Sequence, residues 1–287
     1  MGVRIIIDST ADVRPEIRER LLVVPLTVHF GDQEYIDGVT ITNRQFYEKL
    51  VESDVLPSTS QASPDGFAQV FGKVSEAGEQ AVVLTVASKL SGTYQSAMIA
   101  AADFENIYVV DTESVAIGSA ILAELALALA DQGLDAQAIV ARLEAEKKNI
   151  RLIAMVDTLE YLKRGGRVSK TVAFAGGLLN IKPVLSVVEG EIIMLGKARG
   201  SRQGNNLLVA EIEKAGGVDF DKPIMLGYTG LSDALLQKYV QDSQHLWLAG
   251  TGELHSTVIG SVIGTHAGPG AIAVAFFKKE GAIPGNI

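Results

Sequence analysis

The chain has no cysteine, so disulfides, cysteine-bound zinc and thiol catalysis are excluded, and the composition fits a reducing cytoplasm. Its only histidines are His29, His245, His255 and His266, too scattered to suggest a zinc site, with no H-E-x-x-H pair and no calcium-type loop. No G-x-x-x-x-G-K-[ST] loop is present, and "GPGAIA" imitates a dinucleotide fingerprint but precedes a strand pattern instead of following one. The N-terminus, "MGVRIIIDST", lacks the basic-then-apolar pattern of a signal peptide. Positive charge is scarce: the net charge is −9, which repels nucleic acid and anionic membranes on average. Any anion bound must therefore be met by local donors. Long apolar runs are also missing. The longest, Ser114 to Ala130, is about 17 residues and carries Glu124, so it reads as a buried helix, not a membrane span.

What remains is a chain of 287 residues, 47% of them apolar, with clear alternation in its first half. "VRIIID", "VVPLTVHF", "AVVLTVA", "NIYVVDT" and "IRLIAMV" read as strands. Between them lie helical patterns: "RPEIRERL" with Pro15 in its first turn, "TNRQFYEKLVES" with Thr42 and Gln45 spaced as a capping box, and a segment capped by Ser63-Pro64 and running to about Ala77. Further helices are expected over 91–103, 114–132 and "AQAIVARLEAEKKN". Strand–helix–strand order of this kind argues for a mostly parallel α/β sheet. The second half has an α+β texture: "TLEYLKRGG" as a glycine-ended helix, "KPVLSVVEGEIIMLGKAR" as a hairpin turning at Glu189-Gly190, then a helix through "NNLLVAEIEKAGG", the strand "PIMLGYT", the helix "SDALLQKYVQD" and the strand "AIAVAFF". The expected organisation is an N-terminal α/β domain over 1–155 and a C-terminal α+β domain over 156–287, with a loose tail, "GAIPGNI".

Ligands of parallel sheets sit beyond the carboxyl ends of the strands. Four small polar loops are expected there: "DSTAD" (Asp8 to Asp12), "STSQAS" (Ser58 to Ser63), "SKLSGT" (Ser88 to Thr93) and "DTES" (Asp111 to Ser114). Free backbone N–H groups at helix starts and neighbouring hydroxyls suit Thr59, Ser60, Ser91 and Thr93 to a carboxylate or phosphate. Simple helix capping is the alternative for each. A Ser91–His266 pair is a second possibility, an esterase or thioesterase, although the text around the serine is "KLSGT", not G-x-S-x-G, and no third orienting group is evident. A sugar-phosphate binder is a third. His266 lies in "THAGPGAIAVAF" and is expected in a glycine-rich turn from which it reaches toward the first domain. "LKRGGRVSK" concentrates Lys163, Arg164, Arg167 and Lys170, with Arg199 a candidate to join them. This is either a solvated helix end or a docking patch for an acidic partner or lipid headgroups, giving transient membrane contact.

Taken in order, "DSTADV", "TSQAS", "SGTYQSA", "DTESVAIG", "YLKRGGRVS", "IKPVL" and "HAGPGA" resemble the DegV family, fatty-acid-binding proteins that serve bacterial fatty acid kinase. The resemblance spans nearly the whole chain. It implies two α/β domains with a lipid between them, no cofactor beyond the bound fatty acid, and a carboxylate held by Thr59, Ser91 and His266, within a ligand set that includes Ser60, Gly92 and Thr93. It also implies a kinase partner that phosphorylates the carboxylate while the carrier does no chemistry. One position departs: Ala116 stands where many relatives carry serine, which weakens the case for "DTES" in the head site. The energetics suit a carrier. A C16-like tail contributes roughly 0.8 kcal/mol per methylene, about 10 kcal/mol before association costs. Each hydrogen bond to a charged head adds about 1.5–3 kcal/mol.

Overall fold

A computed structural model describes residues 2–168, 180–248, 250 and 254–279. Along the chain these form β1 (Val3–Asp8), α1 (Pro15–Arg18), β2 (Leu21–Val24), β3 (Thr27–Phe30), β4 (Gln33–Ile36), α2 (Asn43–Glu52), β5 (Ser58–Ser60), α3 (Pro64–Glu76), β6 (Gln80–Thr85), α4 (Thr93–Ala101), β7 (Ile107–Asp111), α5 (Ile117–Asp131) and α6 (Ala136–Glu146). There follow β8 (Ile150–Met155), α7 (Glu160–Arg164), β9 (Ile181–Val188), β10 (Glu191–Arg199), α8 (Gly200–Lys214), β11 (Met225–Tyr228), α9 (Ala234–Asp242), α10 (Gln244–Trp247), β12 (Ser256–Val258), α11 (Ser261–Ala267) and β13 (Ile272–Phe277). The tail "GAIPGNI" lies outside the described residues.

The protein is mixed α/β. A four-stranded parallel sheet has the order β2-β1-β6-β7, and a separate six-stranded sheet has the order β10-β9-β8-β13-β11-β12. In the second sheet all neighbours are antiparallel except β11 and β12. β8, read from sequence as the end of the first unit, pairs with β9 and β13 in this second sheet.

Local chemistry accounts for the boundaries. Thr42 and Gln45 close a capping box at the start of α2. The Ser63 hydroxyl accepts from the Gly66 N–H at 3.0 Å, with Pro64 at the first helical position of α3. The β9–β10 hairpin turns on Glu189 (φ 49°) and Gly190 (φ 78°), the paired positive φ of a two-residue turn. The apolar run seen in the sequence is α5. It lies between the two sheets, packing Ile117, Ile121 and Leu122 with Ile5, Ile7 and Val82 of the parallel sheet and with Leu152, Ala273 and Ala275 of the mixed one. A helix covered on both sides has no need of a polar face. Its Glu124 is paired with Arg14 at 2.6 Å. Among the described residues no helix is long and apolar enough to cross a membrane.

Two expectations need correction. "VVPLTVHF" is not one strand: Pro25 breaks it, since proline cannot donate to a ladder, and β3 leaves the parallel sheet to form a small antiparallel sheet of order β4-β3-β5. "STS", read as a loop, is the edge strand β5, with Thr59 opposite Val28.

Candidate functional site

The C-terminal edge of the parallel sheet faces β8, β9 and β13 of the mixed sheet across a cavity of about 390 Å³, within the usual range of about 300–1,000 Å³ for ligand pockets. Most of its wall is apolar. Leu152, Ala154 and Val156 come from β8 and its end, Leu185 and Val187 from β9, and Ile259, Val262 and Ile263 from the approach to α11 and α11 itself. Polar residues interrupt this lining: Thr59, Ser60, Gln61, Ser91, Arg167 and His266, with Gly92 beside them, and also Thr10, Ser186 and Thr229. The chain is acidic overall, yet the described lining contains no aspartate or glutamate.

Thr59 is supplied by β5. Side chains alternate along a strand, so Thr59 faces the cavity while Ser58 and Ser60 face the other way. Ser60 borders the cavity, but its hydroxyl is bonded to His29 Nε2 at 2.9 Å. His266 stands in the last turn of α11, not in the glycine-rich turn expected. Glycines disguised this helix, and packing explains them. A Cβ at Gly264 would lie 2.6 Å from the Tyr47 hydroxyl, and one at Gly268 would lie 2.3 Å from the Tyr161 ring. On the far side of the imidazole, a Cβ at Gly165 would come within 2.2 Å of His266 Nδ1, so the ring fits only because α7 ends in glycine.

Ser91 precedes α4, which starts at Thr93. Thr93 is fully buried behind Ser91 and does not border the cavity. It supports instead: its hydroxyl lies 2.9 Å from Ser91 Oγ and its N–H donates to that oxygen at 3.3 Å. Gly92 is glycine because Gln61 crosses it, with Oε1 2.1 Å from a built Cβ. Gln61 Nε2 in turn donates to Ser96 at 2.9 Å, and the Ala62 N–H donates to Thr93 Oγ1 at 3.4 Å. The "TSQAS" and "SGT" segments are thereby interlocked. Gln61 was not singled out from sequence, although it stands inside the quoted "TSQ".

The polarity of these bonds matters. Thr59 Oγ1 lies 2.9 Å from His266 Nε2. Burial, with the positive charge of Arg167 adding to it, pushes the imidazole down to about 4, so it is neutral at pH 7. Among the described residues its Nδ1 is buried without a partner, whereas Nε2 has Thr59 to donate to, so the hydrogen-bond network assigns the proton to Nε2. Thr59 then accepts from His266 and has its own O–H free. Ser91 Oγ accepts from the Thr93 N–H at 3.3 Å and lies 2.9 Å from the Thr93 hydroxyl, a bond in which either oxygen can donate. Both hydroxyls border the cavity, and each has a proton it can turn toward an anion there. The same bonds are poor for nucleophilic catalysis. Ser91 and His266 share no hydrogen bond among those described, and Nδ1 has no carboxylate to orient it.

The basic segment divides. Arg167 lines the cavity, with Nε donating to the Leu90 carbonyl at 3.2 Å and Nη1 to the Gly165 carbonyl. Arg164 is exposed and paired with Glu160 at 2.7 Å, and Arg199 is exposed at the end of β10. Lys170 lies outside the described residues. Ala116 borders the cavity at φ 53°, a left-handed conformation uncommon outside glycine. Among the described residues no cluster of three or more histidines and carboxylates is placed to hold a metal.

Known proteins show the same pattern. The family model described as "Uncharacterised protein, DegV family" matches residues 2–279. A DegV domain-containing protein of Caldanaerobacter subterraneus subsp. tengcongensis is 34% identical over 282 residues, covering 96% of this chain and 99% of its own. A DegV family protein from Thermus thermophilus, described for its fatty acid binding, superposes with a TM-score of 0.87 at 31% identity over 97% of this chain and 100% of its own. A stearic acid-binding protein from Eubacterium ventriosum does so with a TM-score of 0.86 at 28% identity over 97% and 99%. With nearly its full length matched by the family model and by a relative 34% identical, the chain belongs to the DegV family.

Proposed function

We propose that the protein binds a long-chain fatty acid, its carboxylate on Thr59, Ser91 and His266 and its tail in the apolar cavity, and presents it to a separate kinase that makes the acyl phosphate. The observation that carries this reading is the placing of the Thr59 and Ser91 hydroxyls, with His266 beside them, on a largely apolar cavity whose described walls hold no acid. Thr59 and Ser91 donate directly. His266 donates to Thr59 and leaves its proton free, and the Thr93 N–H holds Ser91 Oγ in place. The tail supplies most of the affinity, at roughly 0.8 kcal/mol per methylene, and the head donors fix the orientation. Stearic acid bound by a family member supports a ligand of this length.

The kinase belongs to the proposal through the motif resemblance. Neutral hydroxyls suit such a partner, since they accept a carboxylate and its phosphorylated product without gripping either. Arg164 and Arg199 are the exposed cations offered to it. Because β8 pairs in the second sheet, the division expected at residue 155 is moved in this reading to just before Ile150, with the ligand between the two sheets. The alternative, a Ser91/His266 hydrolase, predicts burst release from an activated acyl ester that Ser91→Ala abolishes. A carrier gives no burst and weaker binding. Mass spectrometry of lipid extracted from the purified protein tests the main reading: a fatty acid is expected, and an empty protein that also ignores added palmitate and oleate overturns it.

A further inference from the structure

We propose that Asp12 and Asp37 are positioning residues of the head site: they grip the first residues of α11 and so fix where its last turn holds His266. The geometry needs no ligand, and its meaning for fatty acid binding rests on the reading above.

The "DSTAD" loop looks from sequence like part of an anion cradle. The structure turns its last acid the other way, toward the start of α11. Asp12 Oδ1 accepts from the Gly260 N–H at 2.7 Å, and the Ser261 hydroxyl donates to Asp37 Oδ1. A third hold lies one residue earlier, where the Tyr47 hydroxyl donates to the Ile259 carbonyl at 2.9 Å. The grip is close because position 260 is glycine: a Cβ there would lie 2.9 Å from Asp12 Oδ1. α11 has seven residues, too few to be stable alone, so its direction is set by what packs along it and by what holds its ends. From Gly260 to His266 is roughly 9 Å along the helix axis. A small tilt at the gripped end therefore carries the imidazole out of its 2.9 Å bond with Thr59.

Asp12 is buried at 8% exposure, and its Oδ2 has no partner among the described residues. The charged and titratable groups around it are Asp8 at the end of β1, Asp37 after β4, Arg18 of α1 and the Tyr47 phenol of α2. Burial first, and the neighbouring carboxylates after it, hold Asp12 well above the usual carboxylate range. Asparagine copies a protonated aspartic acid and keeps the accepting oxygen, so it separates the grip from the charge.

The test follows the titration of the His266 imidazole in the full-length protein by long-range proton–nitrogen NMR, alongside palmitate affinity. Wild type and Asp12→Asn are expected to titrate near 4. In Asp12→Ala the freed helix lets water reach the ring, and the midpoint rises by about one unit or more toward the ordinary 6.5, with palmitate affinity down by about 10-fold. Ser261→Ala, a milder change that serves if Asp12→Ala does not fold, moves the midpoint the same way by less. A folded Asp12→Ala protein whose His266 midpoint is unchanged overturns the proposal, and so does an unchanged Ser261→Ala where the alanine at 12 cannot be folded. If wild type binds no fatty acid, the proposed function fails, while the titration still decides the grip.

Discussion

At its C-terminal end α11 presents His266 to an apolar cavity. At its N-terminal end its polar contacts are with protein, Gly260 on Asp12 and Ser261 on Asp37. Both ends bury titratable groups, and burial pushes both toward their neutral forms, but in opposite directions: the imidazole goes down and the carboxyls go up. The difference lies in what each neutral group then does. Neutral His266 has one proton to give and hands it to Thr59, which frees a hydroxyl for a ligand. Asp12 uses an oxygen to receive a backbone N–H and offers nothing outward. One end of a seven-residue helix is a site, and the other is its mount.

Changes in pH separate the two ends most strongly. His266 resists protonation in the folded protein, so its stability contribution is present at neutral pH and is lost as pH falls from about 6.5 through about 4. Over that window wild type loses about 3 kcal/mol relative to His266→Gln, measured by chemical denaturation at a series of pH values. Equal pH dependence in the two proteins would mean that the imidazole is not buried as described. Next in size is the head itself. Thr59→Val and Ser91→Ala each remove one hydrogen bond to a charged group, about 1.5–3 kcal/mol, or roughly 10- to 150-fold in fatty acid affinity by calorimetry. Loss from one variant only would show that the two hydroxyls do not act together.

The mount responds with the opposite sign. Asp8, Asp12 and Asp37 hold protons in the folded state that the unfolded chain releases above about 3.9. Their contribution is present below that pH and is lost as pH rises through their raised values. Asp12→Asn removes one share, so its melting temperature gains on wild type from pH 4 toward neutrality. A gain in the other direction would contradict a protonated Asp12. The smallest effect is expected at Ser60, whose hydroxyl is turned to His29: Ser60→Ala changes fatty acid affinity by less than about 2-fold.

Much of this was legible beforehand wherever a local rule governs. The capping box at Thr42, the Ser63-Pro64 cap and the Glu189-Gly190 turn are each decided within a few residues, and the sequence displays them. The set Thr59, Ser91 and His266 came from a resemblance, and the structure places all three on one cavity. What stayed hidden depends on distant partners. β5 is three polar residues that become a strand only because β3 lies beside them. α11 looked like loop because Gly264 and Gly268 answer to Tyr47 and Tyr161, far away in sequence. Arg164 and Arg167 are three residues apart and look alike on paper. The glycines at 165 and 166 turn the chain so that one faces solvent and the other enters the cavity wall. Thr93 reads from sequence as a ligand donor, and only the packing of α4 shows that it is buried behind Ser91 and off the cavity.

The central claim is that the cavity holds the tail of a fatty acid while Thr59 and Ser91 donate to its carboxylate. It is tested most directly by carbon-13 NMR of carboxyl-labelled palmitate added to the full-length protein. The account predicts a single bound carboxylate signal that shifts in Thr59→Val and in Ser91→Ala but not in Ser60→Ala. A bound signal indifferent to both head variants, or no bound signal at all, would contradict it.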